Sequence, residues 1–170
     1  MTIVAPADGD LLDPDWAADI TDAVNDHETR LDALEVGWTT YVPTLTNLTK
    51  GNGTITAAYR RRWGNTADVR FKFTLGTTSA VGTAPEVSLP TGMEFASYYS
   101  DNIDMLGTVA LNDTGTATRG GFIRPDYAGS AIIISSYTTA GVLQNVSSTL
   151  PHVWAATDVI AFLALSIELA

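Results

Sequence analysis

The residues with the clearest chemical potential in this chain are aromatic and acidic side chains in one long stretch without a strand pattern. Residues 89–102 hold Tyr98, Tyr99 and Asp101, and Tyr127 follows in a later turn region. Aromatic rings offer flat apolar faces to a ligand, and a nearby carboxylate can accept hydrogen bonds from its hydroxyl groups. Long irregular segments on a β scaffold are common places for binding surfaces. These four residues therefore predict a receptor or glycan contact; the alternative is that the rings only cover a β core.

Patterns for catalysis are sparse. A Ser-His-Asp arrangement would have to use His152, because the only other histidine is His27, and the Gly-x-Ser-x-Gly elbow is absent. Paired carboxylates can cleave glycosidic bonds, but the spacing of the available acids selects no pair. These acids are Asp101, Asp104, Asp113 and Asp126. The sequence predicts a protein that is not an enzyme and that uses no cofactor or metal; a glycan-cleaving head is the less favoured alternative.

Composition narrows the classes of partner. The 170 residues carry a formal net charge of -10 and no cysteine, so stability must come from burial and assembly and not from disulfides. The negative charge disfavours binding to nucleic acid or to an anionic membrane. The basic run at residues 60–62, followed by Trp63, fits an anion contact less well than a hairpin end whose arginines pair with acids of a neighbour. Neither a secretory signal nor a membrane span is expected.

A helix over residues 15–37 is the element expected to organise the chain. Asp13, Pro14 and Asp15 form a helix start, with Asp13 as the N-cap. Apolar or core-type residues then recur at alternating steps of three and four, which is the heptad seam of a coiled coil. The sequence within this helix predicts a homotrimer interface formed by Ile20, Val24, His27, Arg30, Leu31, Leu34 and Glu35.

Arg30 and Glu35 flank the seam at heptad positions g and e, so the run from Arg30 to Glu35 resembles the short signature of parallel three-stranded coiled coils. Arg30 of one chain would pair with Glu35 of the next chain. His27 would bring three imidazoles to the trimer axis, where they would fix the register or hold a water or an anion; a metal site there is less favoured. The alternative for the whole helix is a single amphipathic helix docked on its own β domain.

From Trp38 onward the periodicity changes to two, which is typical of strands. We expect the first strand over residues 39–48, a hairpin across Gly64-Asn65, and a last strand over residues 159–169. The last strand should be buried on both faces, either centrally in the sheet or at a subunit contact. The predicted fold is mainly β: an N-terminal trimeric coiled-coil helix followed by an antiparallel β-sandwich, jelly-roll-like head. The domains would be a docking segment at 1–14, the helix at 15–37 and the head at 38–170.

Several stretches resemble minor structural proteins of tailed bacteriophages that infect actinobacteria. The stretches are the helix end HETRLDALE, the passage WTTYVPTLTNLTKGNGT at residues 38–54, Tyr59-Arg60-Arg61, residues 71–76 and Ser88-Leu89-Pro90. The similarity covers residues 15–90 and weakens afterwards. In that family such proteins are tail, fibre or decoration components, and trimers are usual. This chain is shorter than a whole receptor-binding fibre, which normally has a longer shaft.

The resemblance and the residue patterns together predict a non-enzymatic homotrimeric virion protein. In the first version it is a minor tail protein or tail-fibre component whose heads attach to a host-surface glycan or protein. In the second version it is a capsid decoration or head-fibre trimer, anchored to other virion proteins by its N-terminal segment. In both versions it is made in the host cytoplasm and resides on the virion, with no nucleic-acid partner and no membrane insertion.

Overall fold

Alternating polar and apolar residues after Gly37 form β-strands in the computed structural model, which describes residues 18–27, 37–62, 64–99, 104–126 and 129–170. The chain divides into two compact units, Met1–Gly37 and Trp38–Ala170; the second is called the head below. The strands in the described residues are β1 (Thr39–Thr40), β2 (Leu45–Thr49), β3 (Thr54–Arg62), β4 (Thr66–Thr74), β5 (Ala80–Ser88), β6 (Gly107–Asp113), β7 (Ala117–Pro125), β8 (Ala131–Tyr137), β9 (Leu143–Asn145) and β10 (Val159–Glu168).

These strands form one antiparallel sheet with the order β1-β3-β4-β10-β6-β7-β8-β5-β2, and β9 pairs with β8 beside this path. The prediction of a mainly β, antiparallel protein is therefore confirmed. The two-sheet sandwich and its jelly-roll topology are not confirmed, because the strand path is continuous and the sheet curls on itself. Strand β10 makes the path continuous by pairing with β4 on one side and with β6 on the other.

The predicted hairpin of β3 and β4 is present across Gly64 and Asn65. Tyr59 lies opposite Val69, and Ala57 lies opposite Phe71. Residues that lie opposite each other share a face of an antiparallel pair. The face that carries Val69 and Phe71 is buried, whereas Arg70 on the other face is exposed.

Residues 41–44 close the gap between the two edges of the curled sheet. The Tyr41 backbone N–H donates to the Ala57 carbonyl of β3 at 3.1 Å, and the Tyr41 hydroxyl donates to the Ser88 carbonyl of β5 at 3.2 Å. The Thr44 N–H donates to the Ser88 hydroxyl oxygen at 2.9 Å, and the Ser88 N–H returns a bond to the Thr44 carbonyl. Five residues of extended chain reach at most about 18 Å. The two outermost strands must therefore approach each other, because β1 and β2 are consecutive in the chain.

The same segment explains why the predicted single strand over residues 39–48 is wrong in its middle. Pro43 has no N–H to give to a ladder and restricts the residue before it. The chain therefore leaves the partner of β1 at this point and begins again as β2 beside β5. Strand β9 and the first part of β5 were not predicted either, because these stretches lack a clear period of two.

The hydrophobic core lies on the inner face of the curl. Phe71 of β4 and Phe162 of β10 stack with ring centroids 5.2 Å apart. Each such side chain contributes about 2 to 3 kcal/mol by burial. The largest fully buried apolar side chains are Phe71, Phe73, Leu111, Ile123, Ile132, Ile134, Ile160, Ile167, Val69, Val87 and Val146.

Strand β10 is central in the sheet, but its two faces differ. Ile160 and Phe162 point into the core, whereas Leu163 is 46% and Leu165 is 52% exposed. The single chain therefore does not bury both faces of this strand, and the alternative of burial at a subunit contact stays a prediction. A sheet that curls around one core has only one covered face, and no described residue covers these two leucines further.

The described part of the N-terminal unit is a helix over residues 18–27, with Gly37 as a further described residue. On this helix Ile20 is half-buried, and Val24 and His27 are exposed. The coiled coil is not confirmed. Of its predicted interface, Arg30, Leu31, Leu34 and Glu35 lie outside the described residues.

Candidate functional site

The irregular segment after β5 is held to the rest of the head by backbone hydrogen bonds. The Phe95 N–H donates to the Gly129 carbonyl at 2.8 Å, and the Ala96 N–H donates to the Glu168 carbonyl at 3.1 Å. The Ala170 N–H donates to the Glu94 carbonyl at 3.0 Å. Because these bonds reach two separate parts of the sheet, the segment is positioned by the scaffold and is not a free loop.

Three aromatic rings of this segment lead from the core to the surface. Phe95 is 6% exposed and belongs to the core, and its ring lies edge-on to Tyr99 with centroids 5.6 Å apart. Tyr99 in turn contacts Tyr98 at 4.8 Å with an angle of 32° between the rings. Tyr98 is 56% exposed. A buried anchor thus supports an exposed ring, which is an arrangement suited to contact a ligand with little loss of side-chain entropy.

Glu168 at the end of β10 supplies the charged group beside these rings. Its backbone N–H donates to the Tyr99 hydroxyl oxygen at 3.2 Å. The neighbouring Glu168 carboxylate raises the pKa of Tyr98. Tyr98, Tyr99 and Glu168 are called the aromatic platform below. The platform combines an apolar face with hydrogen-bond acceptors, as sites for polar ligands with apolar ring faces require.

The structure brings together only some of the predicted contact residues. Tyr98 and Tyr99 lie side by side, whereas Asp101 and Tyr127 lie outside the described residues. Tyr137, a further exposed aromatic residue, contacts Phe122 edge-on at 5.6 Å. Glu168 was not predicted, because it is 69 positions from Tyr99 in the chain and no local pattern relates the two.

The histidine considered for catalysis has a buried side chain. His152 Nε2 lies 3.5 Å from the Asp158 carboxylate, and neither ring nitrogen has a hydrogen-bond partner among the described residues. The two Asp158 oxygens accept bonds from the Thr114 N–H at 2.9 Å and the Ala155 N–H at 2.8 Å. A nucleophile and its base need a direct hydrogen bond. The described residues around His152 provide no such bond. Asp158 instead has a structural role, because it links Thr114 in the turn after β6 to Ala155.

The arginines at the end of β3 contact an acid of the same chain. Arg60 Nε lies 2.7 Å and Arg62 Nε 3.6 Å from Asp68 Oδ2. Asp68 Oδ1 accepts the backbone N–H of Ser166 at 2.8 Å. The favoured prediction was a hairpin end whose arginines pair with acids of a neighbour; in the structure Arg60 and Arg62 pair with an acid of the same hairpin. The sequence alone did not give this pairing, because a two-residue turn at Gly64-Asn65 would place residue 60 opposite residue 69, whereas the structure places Arg60 opposite Asp68.

A buried cation lies on the outer face of β7. Arg124 is 6% exposed, its Nε donates to the Ser135 hydroxyl at 3.0 Å, and its terminal nitrogen donates to Asn145 Oδ1 at 2.5 Å. Burial lowers the pKa of Arg124. These bonds tie β9 to β7 and β8, so Arg124 has a role in the fold.

The fold and the candidate site together define a mainly antiparallel β protein with an exposed aromatic platform at one end of a curled sheet. No protein-family model, no curated protein and no solved structure matches the chain. In the part of the chain that the structure describes, no group of three or more His, Cys, Asp or Glu side chains could hold a metal ion. None of the described helical residues forms a helix long and apolar enough to cross a membrane.

Proposed function

We propose that this chain is a non-enzymatic structural protein of a tailed phage virion, a homotrimer of the tail or fibre type whose β heads attach to the host surface. The single observation that carries this proposal is the aromatic platform. Tyr98 is 56% exposed, and its support runs through Tyr99 to the buried Phe95. Rigid, partly exposed aromatic residues are enriched among the residues that dominate binding energy.

The chemistry of the platform favours a saccharide as the host ligand. An exposed Tyr98 ring can cover the apolar face of a sugar ring, and the Glu168 carboxylate can accept bonds from its hydroxyl groups. In the described residues the platform lies beside no histidine, so its groups suit binding better than bond cleavage. Adhesion in this form needs many weak contacts of the same kind, which a trimer supplies through multivalency.

The trimer is supported by the heptad seam over residues 15–37. Val24 is 50% exposed in the single chain, as expected for a seam residue whose partner is another copy. Arg30 and Glu35 would add ion pairs between chains, each contributing about 0 to 1 kcal/mol. Most of the association energy would come from the apolar residues of the seam.

The resemblance to phage structural proteins supports the location on a virion. The resembling passage at residues 38–54 contains the segment that closes the sheet and the turn before β3. The capsid-decoration version differs only in where the N-terminal segment is anchored, and labelling of intact particles with an antibody to the head separates the two.

The trimer can be tested on the full chain by light scattering. We expect a mass of three copies for the unaltered protein and of one copy for the Leu31→Ser/Leu34→Ser variant, because two apolar residues per chain leave the seam. The matched control Asp32→Ser/Ala33→Ser changes neighbouring positions off the seam and should stay trimeric. A monomeric unaltered protein would refute the trimer. A seam variant that stays trimeric would mean that the heads, and not the helix, form the trimer contact.

Host attachment can be tested by measuring adsorption to host cells with the Tyr98→Ala variant. We expect at least a tenfold loss, equal to about 1.4 kcal/mol, because the exposed ring face is removed. Tyr137→Ala is the matched control, since Tyr137 is 45% exposed but packs on Phe122. Equal adsorption of both variants would contradict a role of the platform. Release of sugar from host polysaccharide by the purified protein would favour the glycan-cleaving alternative.

A further inference from the structure

Four basic side chains form a regular row on the outer face of β3 and β4. The register places Arg62 opposite Thr66, Arg60 opposite Asp68, Ala58 opposite Arg70, and Thr56 opposite Lys72. The four cations therefore occupy successive levels two residues apart, which corresponds to about 7 Å per step and about 20 Å in total. We call Arg62, Arg60, Arg70 and Lys72 the cation ladder.

The ladder is only partly neutralised by the described residues. The fully buried Asp68 contacts Arg60 and Arg62, whereas no described carboxylate lies within 4.0 Å of Arg70 or Lys72. Both of these side chains are exposed. Like charges this close repel one another, so a row of this kind is stabilised by an external anion.

The Trp38 ring orders the middle of the ladder. The Arg60 guanidinium lies 5.0 Å and the Arg70 guanidinium 4.5 Å from the ring centroid. Such cation–π contacts restrict the two long side chains. The remaining N–H groups of an ordered guanidinium can then donate hydrogen bonds to an oxyanion with little further loss of entropy.

The charge of the whole chain does not oppose anion binding at this face. Residues 1–37 contain ten of the 19 acidic residues and one of the 9 basic residues. The head therefore has nine acidic and eight basic residues and is close to neutral. Half of its basic residues lie in the ladder, so the local field is positive although the protein is acidic.

We propose that the cation ladder binds a linear polyol-phosphate polymer, a chain with one negative charge per repeat joined by phosphodiester bonds. An extended chain of this type can present its phosphates in one row, and guanidinium groups bind phosphate with two parallel hydrogen bonds. The residues opposite Arg62 and Lys72 are threonines, which suit the hydroxyl groups of a polyol. The inference goes beyond the proposed function and does not require the aromatic platform to bind a glycan.

Single-stranded nucleic acid carries a similar charge but fits this face less well. Proteins bind it by stacking successive bases on several aromatic rings. Among the described residues of this face Trp38 is the ring at the ladder, and two guanidinium groups already contact it.

The test is calorimetric titration of the full chain with a defined glycerol-phosphate hexamer. Four phosphate contacts, each with a slope of about 0.7 in log affinity against log salt, predict about 50-fold weaker binding at 200 mM than at 50 mM salt. The Arg70→Glu/Lys72→Glu variant should bind at least tenfold more weakly. The control Lys50→Glu/Arg119→Glu makes the same change in net charge at exposed positions away from the ladder and should keep the affinity.

Thermal unfolding of both double variants shows whether the head is intact. The single variant Lys72→Glu changes one exposed ladder residue and should weaken binding less than the double variant. The proposal is overturned by absence of binding at 50 mM salt, or by equal weakening in the ladder variant and its control. Tighter binding of a thymidine dodecamer than of the polyol phosphate would overturn the assigned ligand class. Loss of adsorption in Tyr98→Ala bears on the aromatic platform alone, so the two proposals can fail separately.

Discussion

Replacing Asp68 with Ala is expected to lower the free energy of unfolding of the head by about 2 to 3 kcal/mol. The carboxylate is fully buried and accepts bonds from Arg60 Nε at 2.7 Å and from the Ser166 N–H at 2.8 Å. Its removal leaves a backbone donor without its acceptor and two guanidinium groups without their counter-charge. Since the Arg60 and Arg62 side chains are 36% and 46% exposed, water relieves part of this cost, and we place the effect below that of a wholly buried pair.

The loss of the Asp68 carboxylate should also affect the end of β10, because Asp68 binds the backbone there. Ser166 has a φ of 54° and lies in a register shift of β10 between Ala164 and Ile167. A non-glycine residue in this conformation is strained and needs support from its surroundings. The bond from Ser166 to Asp68 provides that support, so loss of the carboxylate should loosen the end of β10, which also carries Glu168 of the aromatic platform.

Urea unfolding followed by circular dichroism measures this effect. Glu94→Ala is a control at an exposed acid and should change stability by less than about 0.5 kcal/mol. The double variant Asp68→Ala/Arg60→Gln should be less unstable than the sum of its single changes, because the two residues share one interaction. An Asp68→Ala protein as stable as the control would mean that the carboxylate does not hold the bulge.

The sequence was sufficient for those parts of the fold that depend on local patterns. The β3–β4 hairpin was predicted because Gly64-Asn65 marks a turn and Val69, Phe71 and Phe73 alternate with polar residues. The order of the strands was not predictable, since the pairing of β10 with both β4 and β6 depends on contacts far apart in the chain. The continuous strand path follows from this non-local pairing.

In the candidate site, too, the residues that follow a local pattern were predicted and those placed by contacts distant in the chain were not. Tyr98 and Tyr99 were identified because they lie in the longest stretch without a strand pattern. Glu168 was not identified, because its place beside Tyr99 results from the path of the last strand. The ladder was recognised only as the basic run at residues 60–62; the addition of Arg70 and Lys72 needed the register of the hairpin.

Replacing Gly51 with Ala is expected to destabilise the head by about 3 kcal/mol. Gly51 has a φ of +52°, which costs an L-residue about 1 to 2 kcal/mol, and a Cβ there would clash with the Thr78 carbonyl. Overpacking against backbone adds about 1 to 3 kcal/mol. Gly64→Ala is the matched control, because Gly64 also has a positive φ of +71° but nothing lies within 4 Å of its Cβ position. It should cost about 1 kcal/mol.

Thermal unfolding of these two variants shows whether the turn at Gly51 is fixed by its packing. Asn52 accepts the Thr78 N–H at 3.0 Å and donates to the Thr77 hydroxyl at 3.0 Å. Gly51 therefore lies in a turn that is locked to residues 76–79, and a cost well above that of Gly64→Ala is expected. Equal costs would mean that the turn can shift without penalty. A larger cost at Gly51 would show that the Gly-Asn-Gly run is required for packing of this turn against residues 76–79.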